Sequence, residues 1–257
     1  MNDTTAYAAR RRDFRALHQQ GCFLLPNPWD IGGAVRLERL GYQAIASSSS
    51  ACALALGRGD YHISLAEALD HLRMLVAATH LPVNADFEDG FAAEPERVAD
   101  NVRSAIATGI AGLSIEDRHG DTLHEGARAV ERVAAARQAI AASGQDVLLV
   151  ARTEAFLQGH TDPQPVIDRL LKFSVAGADC LYAPGVKDMN VIRDIVRAVA
   201  PKPVNVLLYG PQMQVSELAA AGVRRVSLGG ALAGAAWRAF DTAAKQFMEQ
   251  GALLPRA

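Results

Sequence analysis

Asp146-Val147-Leu148-Leu149-Val150-Ala151-Arg152 is the stretch on which the fold turns. Val147 to Ala151 are apolar without interruption, so a strand built from them has no face suited to water. Such a strand belongs inside a parallel sheet with helices on both faces, and the run is far shorter than the ~20 residues that cross a bilayer. Working outward, similar short runs rich in Val, Ile and Leu recur. Together they occupy residues 22–26, 43–47, 82–86, 111–117, 147–152, 179–183, 203–207 and 224–228. Parallel neighbours need a long crossover, and the stretches between these runs supply one with helical spacing. Leu65, Ala68, Leu69, Leu72, Leu75 and Val76 fall three and four residues apart, as do Val130, Val133, Ala134, Arg137 and Ile140, with the Arg137 head group expected in solvent.

Leu40-Gly41, Thr108-Gly109, Ser143-Gly144, Ala176-Gly177 and Ala221-Gly222 each put a glycine just before a strand, where a helix C-terminus favours a left-handed residue. Eight apolar runs with helical stretches between them, five of the returns marked by glycine, predict a single parallel (β/α)8 TIM-type barrel over residues 1–257. A doubly wound open sheet is the alternative, but no Gly-x-Gly-x-x-Gly follows the first run. A net charge of -2 gives no electrostatic reason to expect nucleic acid or a membrane surface as partner. Arg10, Arg11 and Arg12 are followed at once by Asp13, Arg15 and His18 rather than by an apolar stretch, so no secretory leader is read and a cytoplasmic protein is expected. Cys22, Cys52 and Cys180 are odd in number and sit among apolar neighbours, which reads as buried free thiols.

Chemistry in such barrels sits where strands end, and those ends are acidic here. The third run closes with Asn84-Ala85-Asp86-Phe87-Glu88-Asp89-Gly90-Phe91, the fourth with Ser114-Ile115-Glu116-Asp117 and the fifth with Ala151-Arg152-Thr153-Glu154. After the second come the serines 47–50 and then Gly57-Arg58-Gly59-Asp60. Alternation puts Asp86 and Glu88 on one face, where Glu116 can join them. Three converging carboxylates repel unless a cation neutralises them, and Mg2+ does so with one or two direct carboxylates and several waters. Arg152 has the planar fork that matches a substrate carboxylate. The competing reading makes Asp89 and Asp117 helix caps, Arg152 an ordinary ion-pair partner and the serines a polar turn.

The segment 84–91 resembles the D-x-[DE]-x-G-[YF] motif of the isocitrate lyase/phosphoenolpyruvate mutase superfamily. Ser114-Ile115-Glu116-Asp117 is similar to its "IED", Ala151-Arg152-Thr153 to its "ART", and Pro26-Asn27-Pro28-Trp29-Asp30 to the opening of its phosphonomutase-like bacterial members. The resemblance implies a Mg2+ site, with Mn2+ as a substitute, at Asp86, Glu88, Glu116 and Asp60, partly through water. It implies substrate contacts from Ser49, Ser50, Ala51 and Arg152, and cleavage through a metal-stabilised enolate. Asn205, Tyr182 and Tyr209 are further candidates for the pocket.

The departures narrow the reaction. In place of the "KKCGH" loop of the isocitrate lyases stands 116–124, without a Cys; no Lys or Asn lies between Glu116 and Arg132; and Pro184 occupies the place of a mutase His. The leading expectation is decarboxylation or retro-aldol cleavage of a small 2-oxo (di)carboxylic acid, with His119 and His124 as candidate proton donors. The alternatives are P–C bond chemistry on phosphonopyruvate or phosphoenolpyruvate, and a non-catalytic 2-oxo acid binding protein. The resemblance also implies a homo-oligomer, dimer or tetramer, with the apolar tail 231–254 either exchanged between subunits or packed on its own barrel.

Overall fold

The computed structural model describes residues 3–252. The chain runs α1 (Asp3–Leu17), β1 (Phe23–Leu25), α2 (Ile31–Arg39), β2 (Ile45–Ala46), α3 (Ser49–Ala55), α4 (Leu65–Ala78), β3 (Val83–Asp86) and α5 (Pro95–Ile106). It continues through β4 (Gly112–Glu116), β5 (Arg118–His119), β6 (Thr122–Leu123), α6 (Gly126–Ala142), β7 (Leu148–Arg152), α7 (Pro163–Val175) and β8 (Cys180–Tyr182). It ends with α8 (Met189–Val199), β9 (Val204–Leu207), α9 (Val215–Ala220), β10 (Arg225–Ser227) and α10 (Ala231–Gln250). Every expected run contains a strand, and these eight form one parallel sheet in the order β1-β10-β9-β8-β7-β4-β3-β2. A 3.0 Å hydrogen bond from the Ala46 N–H to the Pro26 carbonyl bridges the two ends of that order, so the sheet curls into a nearly closed (β/α)8 barrel. The expected domain limits at residues 1, 2 and 253–257, and the last two residues of the tail 231–254, lie outside the described residues.

Period-two alternation divides the strand residues into two layers. Ile45, Ala85, Leu113, Ile115, Leu149, Ala151, Leu181, Val206 and Val226 face the helices. Phe23, Leu25, Ala46, Leu148, Val150, Cys180 and Tyr182 face inward around Phe14 of α1, which plugs the barrel from below. Gly112 belongs to this inner face because a Cβ there would lie 2.7 Å from the Phe14 ring and 2.9 Å from Asn84 Oδ1. Arg225 crosses the interior, its Nε 2.9 Å from Asn205 Oδ1 and its Nη1 3.2 Å from Asn84 Oδ1.

Local chemistry sets the helices. Ser64 and Glu67 form a reciprocal capping box at the start of α4, which contributes about 1 kcal/mol. Pro95 opens α5, and Asp162 caps α7, where Pro163 is pre-set for the first turn. Gly41, Gly109, Gly144, Gly177 and Gly222 all take positive φ, as the sequence predicts. At Gly177 the requirement is double, since a Cβ would also meet Arg137 Cγ at 2.6 Å. Two features differ from expectation. The buried face of α6 is Ala129, Arg132, Val133, Ala136, Ala139 and Ile140, rotated so that it includes a cation. The loop after β4 folds back as the antiparallel hairpin β5–β6. No disulfide forms among the three cysteines, and no described helix is long and apolar enough to cross a membrane.

Candidate active site

Register brings Glu116 of β4 beside Arg152 of β7, and Arg152 beside Tyr182 of β8. The Arg152 guanidinium gathers three carboxylates. Its Nε lies 2.5 Å from Glu154 Oε1 and 3.2 Å from Glu116 Oε2, and its Nη1 lies 3.3 Å from Asp86 Oδ1. Burial works to lower the Arg152 pKa, but Glu116, Glu154 and Asp86 hold it well above the ordinary value. The Tyr182 ring stands 5.4 Å from the guanidinium carbon as an apolar wall. Glu154 is the acid that sequence reasoning passed over as a site residue, although its place two residues after Arg152 was the signal.

Asp86 is fixed from the other side. Its Oδ2 accepts from the Ser49 N–H at 3.0 Å and the Ser49 hydroxyl at 2.9 Å, and its own N–H donates to Ser47 Oγ at 2.8 Å. Ser48 caps α3 and accepts from the Ala51 N–H at 3.2 Å. The structure therefore gives Ser49 and Ala51, expected to grip substrate, partners within the protein. Ser50 is half-buried beside Gly230.

Glu88 lies past the end of β3 in the left-handed region, φ 45°, with Gly90 and Phe91 also at positive φ. The tight loop 88–91 is held by Asn101, whose Nδ2 donates to the Gly90 carbonyl at 2.8 Å. Arg132, 1% exposed, donates to the carbonyls of Asp89, Ala92 and Ala93, and stands 3.7 Å from the Asp89 carboxylate. Glu88 is 6% exposed, and burial followed by the charges of Asp86, Asp60 and Asp89 pushes its pKa up to about 8. Burial likewise raises Glu116 well above the usual carboxylate range. Glu88 Oε1 and Glu116 Oε1 are both buried without a hydrogen-bond partner.

A cleft of about 370 Å3 opens over this loop, lined by Asp60, Tyr61, Glu88, Asp89 and Arg118. Asp60 stands at its rim, its pKa raised by the packing around its carboxylate and then by Asp86. Tyr61, which no sequence signal marked, is at φ 63° with its ring 3.9 Å from the Arg118 guanidinium of the hairpin. Its hydroxyl donates to Glu154 Oε2 at 3.4 Å, and burial followed by Glu116 raises its pKa, so the phenol stays protonated.

The other expected residues stand elsewhere. His119 is exposed on the hairpin, its ring 4.6 Å from that of His124. His124 is 7% exposed with Nε2 unpartnered, and burial followed by Arg132 lowers its pKa to about 4. Neither imidazole bonds to Arg152, Asp86 or Glu116. Asn205 is buried, its Oδ1 taken by Arg225 and its Nδ2 donating to Ser227 Oγ at 3.0 Å. Asp89 and Asp117 are not helix caps: Asp89 Oδ1 accepts from the Phe91 N–H at 2.9 Å, and Asp117 accepts from the Glu154 N–H at 2.9 Å and pairs with Arg169 at 3.1 Å.

Asp86, Glu116 and Glu154 thus share the Arg152 guanidinium, and Asp60 and Glu88 lie close enough to feel the charge of Asp86. Among the described residues no three His, Cys, Asp or Glu side chains are close enough to bind one ion directly, so the four expected metal residues are not one direct coordination shell. An octahedral cation with one or two direct carboxylates and bridging waters suits this spacing, and the bare oxygens of Glu88 and Glu116 are acceptors for such waters.

A parallel β/α barrel carrying this cluster at the C-terminal mouth of its strands has the build of an enzyme. The family model described as phosphoenolpyruvate phosphomutase matches residues 14–248, and the chain belongs to that family within the isocitrate lyase/phosphoenolpyruvate mutase superfamily. A Burkholderia cenocepacia J2315 structure described as a lyase/mutase superposes with a TM-score of 0.93 at 43% identity, covering 97% of this chain and 91% of the other. The 2-methylisocitrate lyase of Escherichia coli K12 is 32% identical over 215 residues, 77% of this chain and 72% of the relative. The oxaloacetate decarboxylase of Chromohalobacter salexigens is 29% identical over 229 residues, 84% of this chain and 77% of the relative.

Proposed function

We propose that the protein is a Mg2+-dependent lyase that cleaves a C–C bond of a small 2-oxo (di)carboxylic acid. The observation that carries this reading is the crowding of acids at the mouth, where Asp86, Glu116 and Glu154 share the Arg152 guanidinium and the buried Glu88 and Glu116 each have one oxygen without a partner. A divalent cation would be held by Asp86, Glu88, Glu116 and Asp60, partly through water, and would favour the ionised forms of these carboxylates. Bound there, Mg2+ supplies Lewis acidity toward the oxygens of the organic acid. Ser49 holds Asp86 in place through two hydrogen bonds. Arg152 orients the substrate carboxylate and stabilises the negative charge of the enolate, where the electron pair of the broken bond ends. The Tyr61 hydroxyl, kept protonated by burial, donates to Glu154 and so helps to hold that carboxylate beside Arg152. Tyr182 excludes water from one side. The names 2-methylisocitrate lyase and oxaloacetate decarboxylase among the relatives support carbon-carbon cleavage.

The reading includes a cytoplasmic location and a homo-oligomer; the oligomer is supported by Phe240, Phe247 and Met248, which are 62%, 61% and 77% exposed along α10. The test is pyruvate release from a panel of 2-oxo acids with Mg2+ and with EDTA. The expected result is metal-dependent release that Glu116→Ala and Arg152→Ala abolish without unfolding the protein; turnover indifferent to EDTA rejects the reading. Turnover of phosphonopyruvate alone would assign P–C chemistry, and tight oxalate binding without any turnover would make the protein a binding module.

A further inference from the structure

A carboxylate and a guanidinium commonly pair through two parallel hydrogen bonds, one oxygen to each of two nitrogens. Glu154 and Arg152 do not. Glu154 Oε1 accepts from Arg152 Nε at 2.5 Å, whereas Glu154 Oε2 accepts from the Tyr61 hydroxyl at 3.4 Å. Nε and Nη2 share one edge of a guanidinium, so Oε2 is the atom that would otherwise close the second bond. Arg152 Nη1 donates to Asp86 Oδ1 at 3.3 Å, and Nη2 makes no hydrogen bond among the described residues. The Arg152 side chain is 16% exposed, so this unused donor belongs to a group that still reaches the mouth.

Both partners of the unusual contact are held in place. Tyr61 stands at φ 63°, a region that bulky residues rarely occupy and keep only where the surrounding structure enforces it. Its N–H donates to Asp60 Oδ1 at 3.0 Å, and its ring lies 3.9 Å from the Arg118 guanidinium, a cation–π contact with the β5–β6 hairpin. Glu154 is 1% exposed and its own N–H donates to Asp117 Oδ1 at 2.9 Å, so its carboxylate has no route to solvent. Tyr61 also lines the cleft with Asp60 and Glu88, which puts the phenol at the border of the acidic cluster. A buried carboxylate oxygen deprived of its donor is costly. Without the phenol, Oε2 would turn to Nη2 on the guanidinium edge that Glu154 already faces.

We infer that Tyr61 is a positioning residue: by occupying Glu154 Oε2 it limits the Glu154–Arg152 ion pair to one oxygen and leaves Arg152 Nη2 free for the substrate carboxylate. The inference rests on the reading of Arg152 as the residue that receives that carboxylate. Glu154 then acts in two opposed ways. Through Oε1 it orients the guanidinium, and through Oε2 it would compete with the substrate.

Tyr61→Phe removes the hydroxyl and keeps the ring on Arg118, so it isolates this effect. Crystals of the wild type and of Tyr61→Phe, without metal or substrate, show the pairing, and calorimetric titration with oxalate in the presence of Mg2+ reads its consequence. In Tyr61→Phe, Glu154 should hold Arg152 through both oxygens, at Nε and Nη2, and oxalate should bind about tenfold more weakly. Adding Glu154→Gln to Tyr61→Phe should restore most of that affinity, because an amide offers one acceptor oxygen and cannot take both nitrogens. A merely structural role for Tyr61 would make the double variant at least as weak as the single one. That result, or a Glu154 that keeps its one-oxygen contact in the Tyr61→Phe crystal, overturns the inference. A wild type that binds no oxalate would reject the reading of Arg152 as the seat of the carboxylate, and the crystals alone would then decide whether Tyr61 controls the pairing.

Discussion

Replacing Glu88 with Gln removes one charge from the acidic loop while keeping its shape, and the expected effect on stability changes sign with conditions. Burial and the neighbouring carboxylates raise the Glu88 pKa from 4.5 to about 8. The folded protein therefore keeps this proton over a range in which the unfolded chain has lost it. The contribution to stability is whole below about pH 4.5 and is lost as pH climbs through 8. A displacement of about 3.5 units at 1.36 kcal/mol each is roughly 5 kcal/mol in the limit of high pH. The amide introduced by Glu88→Gln does not titrate, so in EDTA the variant should match the wild type near pH 4 and exceed it by roughly 5 kcal/mol near pH 9. For a chain of this size that is a melting temperature about 10 °C higher. Comparison with the variant cancels the opposing terms from His18 and His124, whose pKa values burial lowers to about 3 and about 4. Saturating Mg2+ should then stabilise the wild type more than the variant, by about 2.7 kcal/mol at a concentration 100 times Kd if the variant does not bind. Thermal melts across pH, with EDTA and with Mg2+, measure both effects. A gap between the two proteins that stays constant from pH 4 to 9, or a variant less stable in EDTA at pH 9, refutes the reasoning.

Two further substitutions probe the scaffold. Arg132→Met removes a buried cation that holds three carbonyls and Asp89, and should cost about 3–5 kcal/mol in urea unfolding, because its partners are left buried and unpaired. A loss below about 1 kcal/mol would mean that the loop 88–93 does not depend on it. Gly112→Ala places a methyl 2.7 Å from the Phe14 ring inside the barrel and should destabilise by about 1–3 kcal/mol, and Phe14→Ala in the same background should recover part of that loss. Light scattering checks the oligomer: Phe240→Glu with Phe247→Glu should lower the mass to that of one chain, since both side chains are exposed in the single subunit.

The barrel was legible because its determinants are local. A run such as 147–151 has no polar residue for a solvent face, and the glycines before the strands take the positive φ that the turns require. The acidic mouth was legible for the same reason, since strand ends locate Asp86, Glu116 and Arg152 before any contact is known. What escaped depends on tertiary placement. Alternation treats Glu88 as a continuation of the strand, whereas β3 stops at Asp86 and the chain turns into the left-handed region. The periodicity of α6 does not mark Arg132 as buried, because its partners are carbonyls from another loop. Tyr61 reaches Glu154 from a segment 93 residues away, a proximity that no spacing encodes. Ser49 donates both its N–H and its hydroxyl to Asp86, a pairing between the start of α3 and the end of β3 that the spacing of the serines does not encode.

Binding of Mn2+ followed by electron paramagnetic resonance, with and without oxalate, tests the central claim most directly. One Mn2+ per chain, held more tightly when oxalate is added and lost in Asp86→Asn, is the predicted result. An unchanged free-Mn2+ signal in the wild type, or binding that Asp86→Asn and oxalate both leave unaffected, would contradict it.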